Sequence, residues 1–138
     1  MKTNHTKNKK VLLKDIKTAA LLFAGFTSIA HFVHNNAVKK GFWKGGRTDA
    51  ECIALIHSEL SEALEELREP MIPSHPYAPR KHIRRGREPK PEGFPSEMAD
   101  VIIRTLDLCA ARNIDIGRAV MDKVIYNNTR PYKHGKRF

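Results

Sequence analysis

Ser96-Glu97-Met98-Ala99-Asp100-Val101-Ile102-Ile103-Arg104-Thr105-Leu106-Asp107-Leu108-Cys109-Ala110-Ala111 is the stretch whose reading decides the fold. At about 100° per residue on a helical wheel, Met98, Val101, Ile102, Ile103, Thr105, Leu106, Leu108 and Cys109 cover more than half the circumference. What remains is a narrow stripe of Glu97, Asp100, Arg104 and Asp107. A helix apolar on so many sides is expected to be buried. Carboxylates are almost never fully buried unless paired or bound to a metal. The stripe therefore requires a partner elsewhere in the chain. Glu97 and Asp100 are the candidate ligands; Arg104 and Asp107 lie further along and are expected to form a supporting ion pair.

Upstream, residues 1–10 are polar, basic and aperiodic, and read as a flexible arm; residues 11–138 read as one helical domain. From about Leu12 to Lys40 apolar residues recur at helical spacing, with Gly41 as the cap. Phe42-Trp43-Lys44-Gly45-Gly46 is a loop carrying the single tryptophan. Thr48 or Asp49 can cap a second helix reaching about Glu69, with Ile53, Ile56, Leu60, Ala63, Leu64 and Leu67 as its apolar side. Pro70 stops it. Residues 70–95 hold seven of the eight prolines and the run Arg80-Lys81-His82-Ile83-Arg84-Arg85-Gly86-Arg87, which reads as a long basic loop. Ser96 is expected to cap the helix quoted above. Asn113 is a plausible left-handed terminator and Asp115 an N-cap for a last helix over Ile116–Asn128, with Val120, Val124 and also Ala119 and Met121 inward. No strand-like alternation is visible, so the expected class is all-α, a four-helix bundle.

Composition bounds the partners. Lys and Arg number 25 against 15 Asp and Glu, a formal charge of +10, which favours anionic partners: nucleotides, nucleic acid or an anionic membrane. Cys52 and Cys109 each fall inside a predicted helix and read as reduced core thiols, consistent with a cytoplasmic protein. The apolar run Ala19–Val33 behind a Lys-rich start, with Ser28-Ile29-Ala30, could pass for a cleavable leader. Cleavage there would remove most of a sensible helix, and the run is too short and interrupted to span a membrane; a core helix is the expected reading.

The partner for the stripe lies on the second helix. Glu59, Glu62 and Glu66 sit at spacings of three and four, on one strip of helix surface, where like charges repel. Alone they would read as a solvated face. Facing the buried stripe, Glu59-x-x-Glu62 and Glu97-x-x-Asp100 make a pocket of four carboxylates inside a bundle. Hard oxygen ligands suit Mg²⁺, with Mn²⁺ as substitute, the remaining positions being left to water and substrate phosphates. Di-iron bundles use Glu-x-x-His, and no histidine follows Glu59, Glu62 or Glu97 at the third position.

Three segments then carry a resemblance: His57-Ser58-Glu59-Leu60-Ser61-Glu62-Ala63-Leu64-Glu65-Glu66-Leu67-Arg68; Glu97-Met98-Ala99-Asp100-Val101-Ile102-Ile103-Arg104; and Lys123-Val124-Ile125-Tyr126-Asn127-Asn128-Thr129-Arg130-Pro131-Tyr132-Lys133-His134-Gly135-Lys136. Together with His34-Asn35-Asn36-Ala37-Val38-Lys39-Lys40-Gly41-Phe42-Trp43, they resemble the MazG-like all-α nucleoside triphosphate pyrophosphohydrolases of the small phage and bacterial type, over roughly residues 30–69 and 96–138. The resemblance implies hydrolysis of a nucleoside triphosphate to the monophosphate and pyrophosphate. It implies Glu59, Glu62, Glu97 and Asp100 as catalytic Mg²⁺ ligands, and Lys123 and Asn127 near the metal and phosphates. It further implies Arg130 and Lys133 on phosphate oxygens, Trp43 stacked on the base, and a homodimer or homotetramer. The segment between Glu62 and Glu97 departs from the family in its length and basicity.

Other readings stand beside this one. His31-x-x-His34 has ligand spacing but lacks a third partner, so structural or base-contacting roles are expected. Trp43 is equally a core plug. A basic nucleic-acid-binding module without catalysis would explain the charge but gives a buried carboxylate stripe no use.

Overall fold

The computed structural model describes residues 21, 23–68, 80–82 and 90–135. The expected arm at 1–10, the start of the first helix and most of the 70–95 stretch lie outside the described residues. Helix α1 occupies residues 23–39 and runs unbroken through Ser28-Ile29-Ala30. It ends as the glycine requires: Gly41 takes φ 83°, its N–H bonds to Val38 O at 3.0 Å and that of Phe42 to Ala37 O at 3.1 Å. This is the paired closure of a helix by a left-handed residue.

Helix α2 (Asp49–Arg68) starts in a capping box. Glu51 N donates to Thr48 Oγ1 at 3.2 Å, and Thr48 N donates back to Glu51 Oε2 at 2.7 Å. Helix α3 (Phe94–Ala111) begins two residues before Ser96. Gly93 is its N-cap, with no side-chain cap, and Ser96 Oγ instead donates to Pro91 O at 3.1 Å. Pro95 is tolerated because the first turn needs no N–H partner. Asn113, at φ 53°, closes α3 with the same pair of bonds seen at Gly41. Asp115 accepts from Arg118 N at 3.0 Å and caps α4 (Ile116–Asn128). A 3₁₀ turn at Tyr132–Gly135 follows.

Within the stretch expected to be structureless, β1 (Arg80–His82) and β2 (Lys90–Glu92) pair antiparallel, Lys81 opposite Pro91. Three-residue strands are too short to show a period in sequence. The ribbon's second strand packs on α3. The class remains all-α.

Helices α2 and α3 make the main packing and run antiparallel: Arg112, after the end of α3, donates to Asp49 Oδ1 at 2.5 Å at the start of α2. The small core is Ala30 of α1 with Leu106 and Ala110 of α3, and Ile116 packed against it. Helix α4 joins α1 at close range. A Cβ on Gly117 would lie 2.0 Å from the Phe23 carbonyl oxygen, so only glycine permits this approach. Thr27 Oγ1 donates to Asp115 Oδ1 at 2.7 Å across the same junction.

Burial departs from expectation. The residues of α2 buried against α3 are Cys52, Glu59 and Ala63, whereas Ile53, Leu60, Leu64 and Leu67 stay exposed. Helix α3 likewise leaves Ile102 and Ile103 exposed, and Val124 of α4 does not turn inward. The helices meet through the edge that carries the glutamates, and the strongest apolar positions face away from the partner helix. Both thiols, Cys52 and Cys109, are free and buried.

Candidate metal centre

Residues three apart on a helix share a face, and antiparallel packing of α2 on α3 sets Glu59 and Glu62 against Glu97. One carboxylate oxygen from each lies within 4.8 Å of the others. Glu59 and Glu97 are buried, at 5% and 8% exposure, while Glu62 opens to solvent. Two buried carboxylates side by side are costly without a cation. The cluster carries the signature of that cost. Burial pushes the Glu97 carboxyl up, and repulsion from Glu62, Asp100 and Glu59 adds to it, as does a hydrogen bond with Glu59 that needs Glu97 protonated. Asp100 is also pushed up, first by burial and then by Glu59, against the opposing pull of Arg104.

Arg104 is the cation built into the site. Its Nε donates to Glu59 Oε1 at 2.7 Å and its Nη2 lies 2.5 Å from the same oxygen. The expected Arg104–Asp107 pair is not formed. Arg104 turns to Glu59 across the helix interface, and Asp107 turns the other way. His34 donates from Nδ1 to Asp107 Oδ1 at 2.7 Å, and Trp43 Nε1 donates to both carboxylate oxygens at 3.0 and 3.1 Å. The stripe on α3 is therefore met from two sides, by Glu59 of α2 for Arg104 and by α1 and its following loop for Asp107, while Glu97 is left facing like charges.

A cavity of about 360 Å³ opens beside the cluster. Asp100, Arg104 and Asp107 line it from α3, with Phe32, Phe42 and Arg47 among the facing residues. Reading the chain alone singled out neither Arg47 nor the two phenylalanines. The signal for Asp107 was present: a carboxylate on an apolar helix needs donors, and His34 and Trp43 were the indicated polar groups ahead of it.

The remaining sequence-predicted residues are not brought to the cluster within one chain. Lys123 Nζ lies 5.4 Å from the centre of the Tyr126 ring, and Lys133 Nζ 5.9 Å from that of Tyr132. Asn127 Oδ1 is buried with no hydrogen-bond partner among the described residues, and Arg130 is exposed. Helix α4 packs on α1, away from the α2–α3 interface that holds the acids. Trp43 has Arg112 over its ring at 5.8 Å and the His34 ring set nearly perpendicular to it at 5.3 Å.

The donor set fits a hard divalent cation: oxygen ligands only, a shared face, one exposed carboxylate for access, and excess negative charge that a cation would relieve. Among known proteins, no family model, no curated protein and no solved structure matches the chain. No described helix is long and apolar enough to cross a membrane.

Proposed function

We propose that this protein is a Mg²⁺-dependent nucleotide pyrophosphohydrolase of the MazG-like type, converting a nucleoside triphosphate to the monophosphate and pyrophosphate. The observation that carries the reading is the cluster of Glu59, Glu62 and Glu97 oxygens at the α2–α3 interface, beside a cavity that shares Asp100. Glu59, Glu62, Glu97 and Asp100 would hold the ion, with Mn²⁺ as a substitute. When bound, it supplies charge neutralisation on phosphate oxygens and a more acidic water. The chain's own residues do the rest. Arg104 fixes the direction of the Glu59 carboxylate. Burial and the neighbouring carboxylates push the Glu97 and Asp100 carboxyls up, a repulsion that a bound cation would relieve, and one of the cluster carboxylates would receive the proton of the attacking water. Lys123, Asn127, Arg130 and Lys133 supply contacts to phosphate oxygens.

Those four residues stand apart from the acids in a single chain, and Ile53, Leu60, Leu64 and Leu67 form an exposed apolar strip on α2. A homodimer or homotetramer covers such a strip and lets a second copy deliver the missing cations. The reaction and the reducing chemistry of the free thiols suit a cytoplasmic setting. The test is pyrophosphate release from a panel of canonical and modified nucleoside triphosphates with Mg²⁺. Glu97→Gln and Asp100→Asn are each expected to lower turnover by at least about a hundredfold; parent-like turnover by both would falsify the site. A second reading, a nucleic-acid-binding module without catalysis, is favoured by the +10 formal charge and the basic run from Arg80 to Arg87. Salt-dependent binding of DNA or RNA with no hydrolysis of any nucleotide would select it.

A further inference from the structure

The cavity beside the acidic cluster has the chemistry of a nucleobase site. It holds about 360 Å³, room for a base with its sugar, and it shares Asp100 with the acidic cluster, so phosphates extending from a base seated in it can reach Glu59, Glu62 and Glu97. Phe32 and Phe42, largely exposed at its rim, add aromatic surface on which a base can stack. Two polar groups in its lining have unused capacity. The Arg47 guanidinium is half-buried and makes no hydrogen bond or ion pair among the described residues. The Asp107 carboxylate is held in one orientation by Trp43 and His34. Its Oδ1 accepts from both, which fills that oxygen, while Oδ2 accepts only from Trp43 and keeps a lone pair. A fixed acceptor and an unpaired donor fork in one apolar cavity select a planar ligand with both a donor and an acceptor on its edge.

We infer that this cavity binds a nucleobase carrying an exocyclic amino group, adenine, cytosine or guanine, with the amino group donated to Asp107 and a ring acceptor set against Arg47. Uracil and thymine are disfavoured by their own geometry. Their single N–H donor is flanked on both sides by carbonyl oxygens, which would be forced towards the carboxylate. Trp43 is then a positioning residue: it orients Asp107, and Phe32 and Phe42 do the stacking. The inference rests on the nucleotide reading above, and it is tested without turnover.

The full chain is titrated with free nucleosides in EDTA, followed by calorimetry and by the fluorescence of Trp43, the only tryptophan in the chain. Cytidine, adenosine and guanosine are expected to bind at least about tenfold tighter than uridine and thymidine, the size of one hydrogen bond to a charged group. Asp107→Asn, which can present a donor as well as an acceptor, is expected to bring uridine to within about threefold of cytidine. Ala37→Phe, on the α1 wall of the cavity, is expected to abolish binding of every base. Arg47→Gln, checked with the first variant for parent-like helix content, is expected to weaken all three amino bases about equally. Absence of nucleoside binding to the parent chain, equal binding of uridine and cytidine, or binding that survives Ala37→Phe would overturn the assignment. Pyrophosphate release with any of those results leaves the hydrolase reading standing and removes only the base site. The expected binding pattern without pyrophosphate release from any triphosphate does the reverse.

Discussion

Arg104→Met removes the cation that pairs with Glu59 in the acidic cluster. Methionine keeps the aliphatic length and removes both contacts to Glu59 Oε1, at 2.7 and 2.5 Å. The Glu59 side chain is 7% exposed against 37% for Arg104, so the loss falls on the buried partner. Breaking a buried pair by removing one member costs about 3–5 kcal/mol, because the remaining charge is stranded. Protonation sets a ceiling. An ordinary glutamate takes up a proton at pH 7 for about 3.7 kcal/mol, from a reference value near 4.3, so the stranded group never costs more than that. The expected destabilisation is therefore about 2–4 kcal/mol at pH 7, shrinking to about 1 kcal/mol at pH 5, where the same protonation is nearly free. The assay is urea unfolding followed by circular dichroism in EDTA, at one fixed protein concentration, at both pH values. Saturating Mg²⁺ should close most of the gap by replacing the lost cation, and Arg104→Lys should lie between. An unfolding midpoint equal to that of the parent at pH 7 would refute the reasoning, as would a deficit equally large at pH 5.

Glu97 and Asp100 both sit above the ordinary carboxylate range in the folded chain, so the folded state takes up protons before the unfolded one does. Metal-free stability should then rise as pH falls through the raised range of Glu97 and Asp100 towards the ordinary carboxylate range near 4, and Glu97→Gln should flatten that slope in a denaturation series. Gly117→Ala places a Cβ 2.0 Å from Phe23 O and is expected to cost about 1–3 kcal/mol by forcing α1 and α4 apart, read as a lowered thermal midpoint. Thr48→Ala opens the capping box of α2 and should cost about 1 kcal/mol in the same measurement; a loss below about 0.3 kcal/mol would show that the box contributes little.

Helix positions were legible in the sequence because local chemistry sets them. Gly41, Thr48, Asn113 and Asp115 each terminate or start a helix through bonds that reach no further than five residues. The start of α3 was misplaced for an equally local reason: Ser96 N and Glu97 N both donate to Gly93 O, so Ser96 already lies inside a first turn that begins at Phe94, and its hydroxyl donates back to Pro91 O. Which face of α2 turns inward is a different kind of question. Hydrophobicity alone directs Leu60 and Leu64 to the interior with Ala63, yet the chain buries Ala63 as expected and Glu59 in place of the two leucines. The stripe on α3 explains the inversion. Arg104 offers a half-buried charge that Glu59 meets across the interface, and Glu97 lies within reach of Glu59 and Glu62. An apolar face turned to α3 would have left Arg104 stranded. The site was thus visible as a pattern of acids, but its internal balance was not, since the pairing of Arg104 with Glu59 and of Asp107 with His34 and Trp43 spans 45 to 73 residues. What the inversion leaves on the outside, Ile53, Leu60, Leu64 and Leu67, is surface that a bundle of this size does not ordinarily expose. The acids gathered between α2 and α3 therefore go with an apolar strip of α2 turned outward, so the cation site and the second copy of the chain proposed above would share one physical cause.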